Sequence, residues 1–197
     1  RCIFNQIEYH CQRAITLRPA FPQAYHLLGT ANYRRGRVIE RNAKDNKKEA
    51  EKAKISYAHA MKAYRRALDL YDKEIARLSR DVKASSHIGH ALLLQRMTVE
   101  HQLADSLRGL GRWFEAEQHY KNMQLLFPAN LRNLADLLKT YCLADQWKYG
   151  KLVLYRSFLD IEPAQWDADV LVHAGWMIAR RAQTRDKSKA DQERKER

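Results

Sequence analysis

Glycine and proline are scarce in this chain, with 7 and 4 among 197 residues. So few turn-formers exclude an all-β protein built from many short strands. Cysteine is scarcer still. Cys2, Cys11 and Cys142 are odd in number and have no paired spacing. That excludes a disulfide framework and points to a reducing, intracellular compartment. No run of about 18 apolar residues occurs, so no segment reads as a membrane-spanning helix. Acidic residues are also short: 36 Lys and Arg face 23 Asp and Glu, a formal net charge of +13. The excess is local. Residues 34–90 carry 16 basic against 8 acidic residues and 180–197 carry 8 against 4, whereas 91–179 carry 9 against 10. The two basic segments suit an anionic partner, whether RNA, an acidic protein face or lipid headgroups. Equally, they suit exposed helices kept soluble by their charge.

What the chain does have is helix formers. Ala, Leu, Arg, Lys, Glu and Gln dominate, and 45% of the residues are hydrophobic, enough for a packed core. The stretch "LADSLRGLGRWFEAEQHYKNMQLLFPAN", Leu103 to Asn130, reads as a helix, a Gly turn, a second helix and a Pro stop. Moved on by 34 residues, Leu103 falls on Leu137, Gly111 on Asp145, Trp113 on Trp147, Ala116 on Gly150 and Tyr120 on Leu154; Pro128 meets Pro163 after 35. Small, large and turn positions recur in order, so the unit returns.

A further copy stands upstream in "PQAYHLLGTANYRRGR", Pro22 to Arg37. Tyr25, Leu28 and Gly29 are followed by Ala31, Tyr33 and Gly36, the last read as the turn. "AMKAYRRALDL" supplies Ala60, Tyr64 and Ala67, 19 residues late; "EAEQHYKNMQLLFP" supplies Ala116, Tyr120, Met123 and Pro128; "QRAITLRP" supplies Ala14 and Pro19. On these residues the chain resembles the tetratricopeptide repeat family. The resemblance covers most of residues 3–180, and its most specific stretch runs from Ala24 to Gly36. It implies an all-α fold, a helix–turn–helix solenoid wound as a right-handed superhelix. Each unit leaves an apolar face for the next, so stacking is obligatory.

The expected organisation is a helical repeat domain over 1–181. It comprises a half repeat 1–19 lacking its first helix (as in a fragment of a longer chain), a repeat 22–72 with an insertion 39–57, and an inserted helical extension 73–96. Repeats 97–130 and 131–164 follow, then a closing helix 165–181. Residues 182–197 form a basic charged tail with no apolar face. Within the first insertion "NKKE", Asn46 to Glu49, is a capping-box-like start, so a helix is expected from near Lys47 through Ser79, roughly 50 Å long. The next helix starts at Ser85 or Ser86. Leu68, Tyr71, Ile75, Leu78 and Val82 keep a 3–4 spacing, as do Ile88, Leu92 and Val99. The two extensions therefore predict a projecting antiparallel hairpin, with Leu78 and Val82 packed on Ile88 and Leu92 at its base. Lys73, Arg77, Arg80 and Lys83 make it a basic docking arm.

The resemblance also assigns a concave groove lined by the first helices. Its positions here are Gln23, His26, Thr30, Tyr33 and Arg34, then His101, Asp105 and Arg108, then Arg132, Ala135, Lys139 and Cys142. This mix suits an extended or helical peptide of acidic character. One subfamily grips a peptide C-terminal carboxylate. The corresponding places here hold His26, Thr30, Gln102, Arg132 and Asp136, of which only Arg132 fits, so that recognition mode is not expected.

Catalytic and metal constellations do not assemble. His87 and His90 share one helix face without further ligands at zinc spacing. "YHC", Tyr9 to Cys11, puts neighbours on different faces. "GLG", Gly109 to Gly111, lacks the preceding strand and further Gly of a phosphate cradle. Trp113, Trp147, Trp166 and Trp176 are expected as packing residues. The sequence thus reads as a non-enzymatic scaffold or adaptor, without metal or cofactor, that holds a protein partner within a larger complex. Two other readings stay open. One is an RNA- or ribonucleoprotein-binding module, with Tyr33, Tyr57, Tyr64 and Tyr71 as stacking residues beside the Lys and Arg clusters. The other is a peripheral membrane-surface adaptor acting through its basic tail.

Overall fold

The computed structural model describes residues 2–43, 46–80, 86–127 and 130–161, together with 166, 168, 170–172 and 174–176. The fold is all-α, with no strand among the described residues. Seven helices follow in order: α1 Cys2–Leu17, α2 Pro22–Ala43, α3 Lys47–Arg80, α4 Ser86–Gly109, α5 Trp113–Leu126, α6 Leu131–Leu143 and α7 Trp147–Asp160. Residues 170–172 and 174–176 are also helical; the tail lies outside the described residues. None of these helices is long and apolar enough to cross a membrane. The chain divides into two compact units, Arg1–Ala116 and Glu117–Arg197, with the division inside α5.

In the first unit, packing is between sequence neighbours: α1 on α2, α2 on α3, α3 on α4, with a smaller α2–α4 contact. α2 opens with Pro22 at its first position, where the missing N–H costs no hydrogen bond. α3 opens at Asn46, whose Oδ1 accepts from the backbone N–H of Lys48 at 3.0 Å and Glu49 at 3.4 Å. This cap satisfies donors that a helix start otherwise leaves without partners. α3 then runs 34 residues, about 51 Å at 1.5 Å per residue.

Its buried seam alternates Ala53, Tyr57, Ala60, Tyr64, Ala67 and Tyr71, all at 0–3% exposure. Steps of four and three residues hold these positions on one face. The alanines bring neighbouring helices close, and the tyrosines reach across. Gly29 of α2 faces the ring of Tyr64, and Gly36 faces the ring of Tyr57. Seven residues up α2 thus correspond to seven down α3, which fixes an antiparallel register. Each phenol donates to a partner: Tyr57 to Glu40 at 2.6 Å, Tyr64 to Thr30 Oγ1 at 3.4 Å and Tyr71 to Gln95 at 3.1 Å. A buried tyrosine is thereby left without an unsatisfied hydroxyl.

The role expected of Gly36 is corrected here. It is not a turn residue, because α2 continues through it to Ala43. A Cβ at Gly36 would come within 2.7 Å of the Tyr57 ring, so the residue is glycine for close packing. Left-handed turn residues stand elsewhere, at Gly111 with φ 75° between α4 and α5 and at Asp145 with φ 58° between α6 and α7. The 34-residue shift returns at this level. Arg112 N–H bonds the Leu107 carbonyl at 2.9 Å, and Gln146 N–H bonds the Tyr141 carbonyl at 2.9 Å. Both turns release the chain into a new helix through one left-handed residue.

In the second unit, α6 packs on α7. Asn130 caps α6 by accepting from the backbone N–H of Asn133 at 3.1 Å, and the Asn133 amide donates to the Tyr120 carbonyl at 2.8 Å. Leu134, Leu138, Leu154, Ile161, Trp166 and Val170 form its core, with Trp147 packed against it. Trp166 Nε1 donates to the Ile161 carbonyl at 3.3 Å. Trp176, expected as a packing residue, is instead exposed. Ala135 and Cys142, expected on the groove, are buried in this same core. Helical spacing places residues 135 and 142 on one face, and that face turns inward.

The projecting hairpin has a different base from the expected one. Tyr71 bonds Gln95, and Arg96 Nε donates to Asp72 Oδ1 at 2.6 Å. Leu92 is buried, but Ile88 is 59% exposed, so it does not close the base; Val82 lies outside the described residues. α3 and α4 therefore join through polar and aromatic side chains at residues 71–72 and 95–96. In the α2–α3 register Pro22 stands level with Tyr71, so α3 beyond Asp72 extends past the start of α2.

Candidate partner-binding face

Eight of the twelve expected groove residues fall on α2 and α4, and His26, Thr30, Tyr33 and Asp105 gather there in one polar strip. The interior of the strip is bonded to itself. His26 Nε2 lies 3.0 Å from Gln102 Oε1, which makes that ring nitrogen the donor. Thr30 Oγ1 lies 3.1 Å from the same Gln102 oxygen and 3.0 Å from the His26 carbonyl. The three side chains thus tie α2 to α4. Burial pushes the His26 pKa below its ordinary value, opposed in part by the Gln102 bond, so the ring is neutral at pH 7. The polar atoms of these three side chains satisfy one another.

One turn further along, Arg37 donates to the Tyr33 hydroxyl at 3.0 Å, with its guanidinium 5.9 Å from the Tyr33 ring centre. The Tyr33 ring lies 5.8 Å from that of Tyr57. Burial, then the charge of Asp105, raises the Tyr33 pKa, while the Arg37 bond opposes the rise. The phenol therefore stays protonated across the physiological range. On α4, Arg108 pairs with Asp105 at 2.6 Å, both residues being buried, and His101 Nδ1 lies 3.8 Å from the other Asp105 oxygen. Arg34 is exposed and Gln23 half-buried. The strip accordingly presents the exposed Arg34, an arginine-backed tyrosine and hydrogen-bonding groups bonded to one another.

Of the other expected residues, Arg132 is exposed and Lys139 half-buried, both on α6 of the second unit. On the arm, Lys73 is exposed and pairs with Asp69 at 3.0 Å, Arg77 is exposed, and Arg80 ends α3; Lys83 lies outside the described residues. Sequence reasoning missed Gln102 as the link to His26 and Thr30, and Arg37 as the partner of Tyr33. The Tyr33–Arg37 pair is visible as an i, i+4 spacing. The Gln102 bonds are not, since they join residues more than 70 positions apart.

The stacking role considered for Tyr57, Tyr64 and Tyr71 is removed. Tyr57, Tyr64 and Tyr71 are at most 1% exposed, and no base can reach their faces. His90 is exposed on α4. The Cys11 thiol is buried and its pKa raised, by burial first and then by Glu8, which disfavours the nucleophilic thiolate. No protein-family model matches the chain, and no curated protein is significantly similar to it.

Proposed function

We propose that this chain is a tetratricopeptide-like helical-repeat scaffold with no catalytic role of its own, and that the α2–α4 strip holds a peptide or helix of a protein partner. The observation that carries the reading is the construction of the strip. Its inner side chains are locked by His26–Gln102–Thr30 and Tyr33–Arg37 bonds, while Arg34 remains exposed at its edge. A rigid, aromatic and cationic surface of this kind suits an acidic partner and spares the ordering entropy a flexible one would lose on binding. The identical turns at Gly111 and Asp145, 34 residues apart, support the repeat assignment. The basic arm offers a second contact to an acidic surface.

Changing Tyr33 and Arg34 together to Ala, and measuring both helicity and affinity for a recovered partner, tests this. Affinity should fall by more than tenfold with helicity kept. Parallel loss of both would make the strip a folding element only.

A further inference from the structure

The second unit contains a recess that no part of the reading above uses. It has a volume of about 440 Å³ and opens between α5, α6 and α7, a size within the range of specific binding sites. Its walls are aliphatic: Leu125, Leu137, Val153 and Ile161; its rim carries Lys121 and Arg156. The two cations differ. Lys121 is paired with Glu117 at 2.6 Å and lies over the Tyr141 ring. Arg156 is exposed and makes no ion pair among the described residues. None of the described lining residues is acidic. Lys121 and Arg156 make the rim cationic. Leu125 is 74% exposed, an apolar side chain held open to water.

From this geometry we infer that the recess is a docking site for an acidic peptide segment, which inserts one aliphatic side chain between Leu125, Val153 and Ile161 and sets a neighbouring carboxylate on Arg156. Charge complementarity selects the occupant. An aliphatic pocket takes an aliphatic anchor, and arginine at its rim binds a carboxylate in a bidentate fork. Nucleic acid is a poorer match, because none of the described residues lining the recess is an aromatic that could stack on a base. The site is independent of the α2–α4 strip and does not need that reading to hold.

The test uses the full chain and a terminally blocked peptide, Glu-Asp-Leu-Leu-Asp-Glu, read by methyl NMR shifts and by anisotropy of a labelled copy. Binding should move the methyl signals of Leu125, Val153 and Ile161. Arg156→Glu should weaken it about tenfold or more, as should replacing both peptide leucines with asparagine. Lys62→Glu, at an exposed position of α3 away from the strip, should leave it unchanged. Leu125→Asp, at an exposed position, should also weaken it, with unchanged circular dichroism showing an intact fold. Four results would each overturn the inference. These are no binding at about 1 mM peptide, equal binding to the Arg156→Glu chain, equal binding of the asparagine peptide, or displacement of the peptide by an eight-nucleotide uridine RNA that moves the same methyl signals.

Discussion

The ring of Tyr57 lies between two glycines, Gly36 of α2 and Gly109 of α4, each so close that a Cβ would stand 2.7 Å from the ring. One aromatic side chain thereby sets the spacing of three helices. The arrangement places the strip residues of α2 and α4 next to each other, and it makes the two glycines sensitive to the smallest substitution.

Gly36→Ala and Gly109→Ala should each destabilise the fold by about 1–3 kcal/mol, the cost of overpacking a close-packed contact. Gly89→Ala should do the opposite. It lies in α4 with nothing within 4 Å of an added Cβ, so a better helix former should stabilise by about 0.5–1 kcal/mol. Denaturant midpoints of the three variants check both signs, and a loss at Gly89 equal to that at Gly36 would refute the packing account.

How much of this was legible in the sequence varies with the kind of interaction. The start of α3 was, because Asn46 carries its own capping signal. So was the continuation of α3 beyond Tyr71 to Arg80, because Tyr71, Ile75 and Leu78 continue the apolar spacing. Gly36 was misread, since a glycine for a turn and a glycine for a tyrosine ring look alike until the facing helix is known. Ala53–Tyr57–Ala60–Tyr64–Ala67–Tyr71 is visible as a heptad pattern, yet its tyrosines read equally well as exposed stacking residues; only burial separates the two. Spacing puts His26 and Thr30 on one face of α2, but their engagement with Gln102 depends on a residue over 70 positions away, which local spacing does not encode.

Stability should fall as pH is lowered through the ordinary histidine range. The His26 pKa is depressed in the folded chain, by burial first, so near and below about pH 6.5 the unfolded chain takes up a proton that the folded chain resists. The contribution is fully present above the unfolded pKa and is lost as pH falls from there towards the depressed folded value. His26→Gln should flatten this dependence in thermal melts between pH 7.5 and 5.5. An unchanged slope in that variant would place the titrating group elsewhere.

The arm should behave as an ordered hairpin. Amides of residues 72–80 and 86–96 should exchange more slowly than those of the tail after Thr184, because Tyr71–Gln95 and Arg96–Asp72 close its base. Gln95→Ala with Asp72→Ala should raise exchange in the arm and leave α6 unchanged. Exchange in the arm as fast as in the tail would contradict the hairpin.

Arg34→Ala alone should change stability by less than about 0.5 kcal/mol, since it is an exposed helix position, while Tyr33→Ala should cost more through loss of the Arg37 and Tyr57 contacts. Melting curves of the two single variants separate the binding part of the strip from its structural part.

Position-scanned photo-crosslinking decides the central claim. A crosslinking residue is placed in turn at Gln23 and Arg34, on the strip, and at His59 and Lys62, exposed on α3. The account predicts that one partner segment, rich in acidic residues, is captured from the strip positions and not from α3. Equal capture from all four positions, or capture from α3 alone, would contradict it.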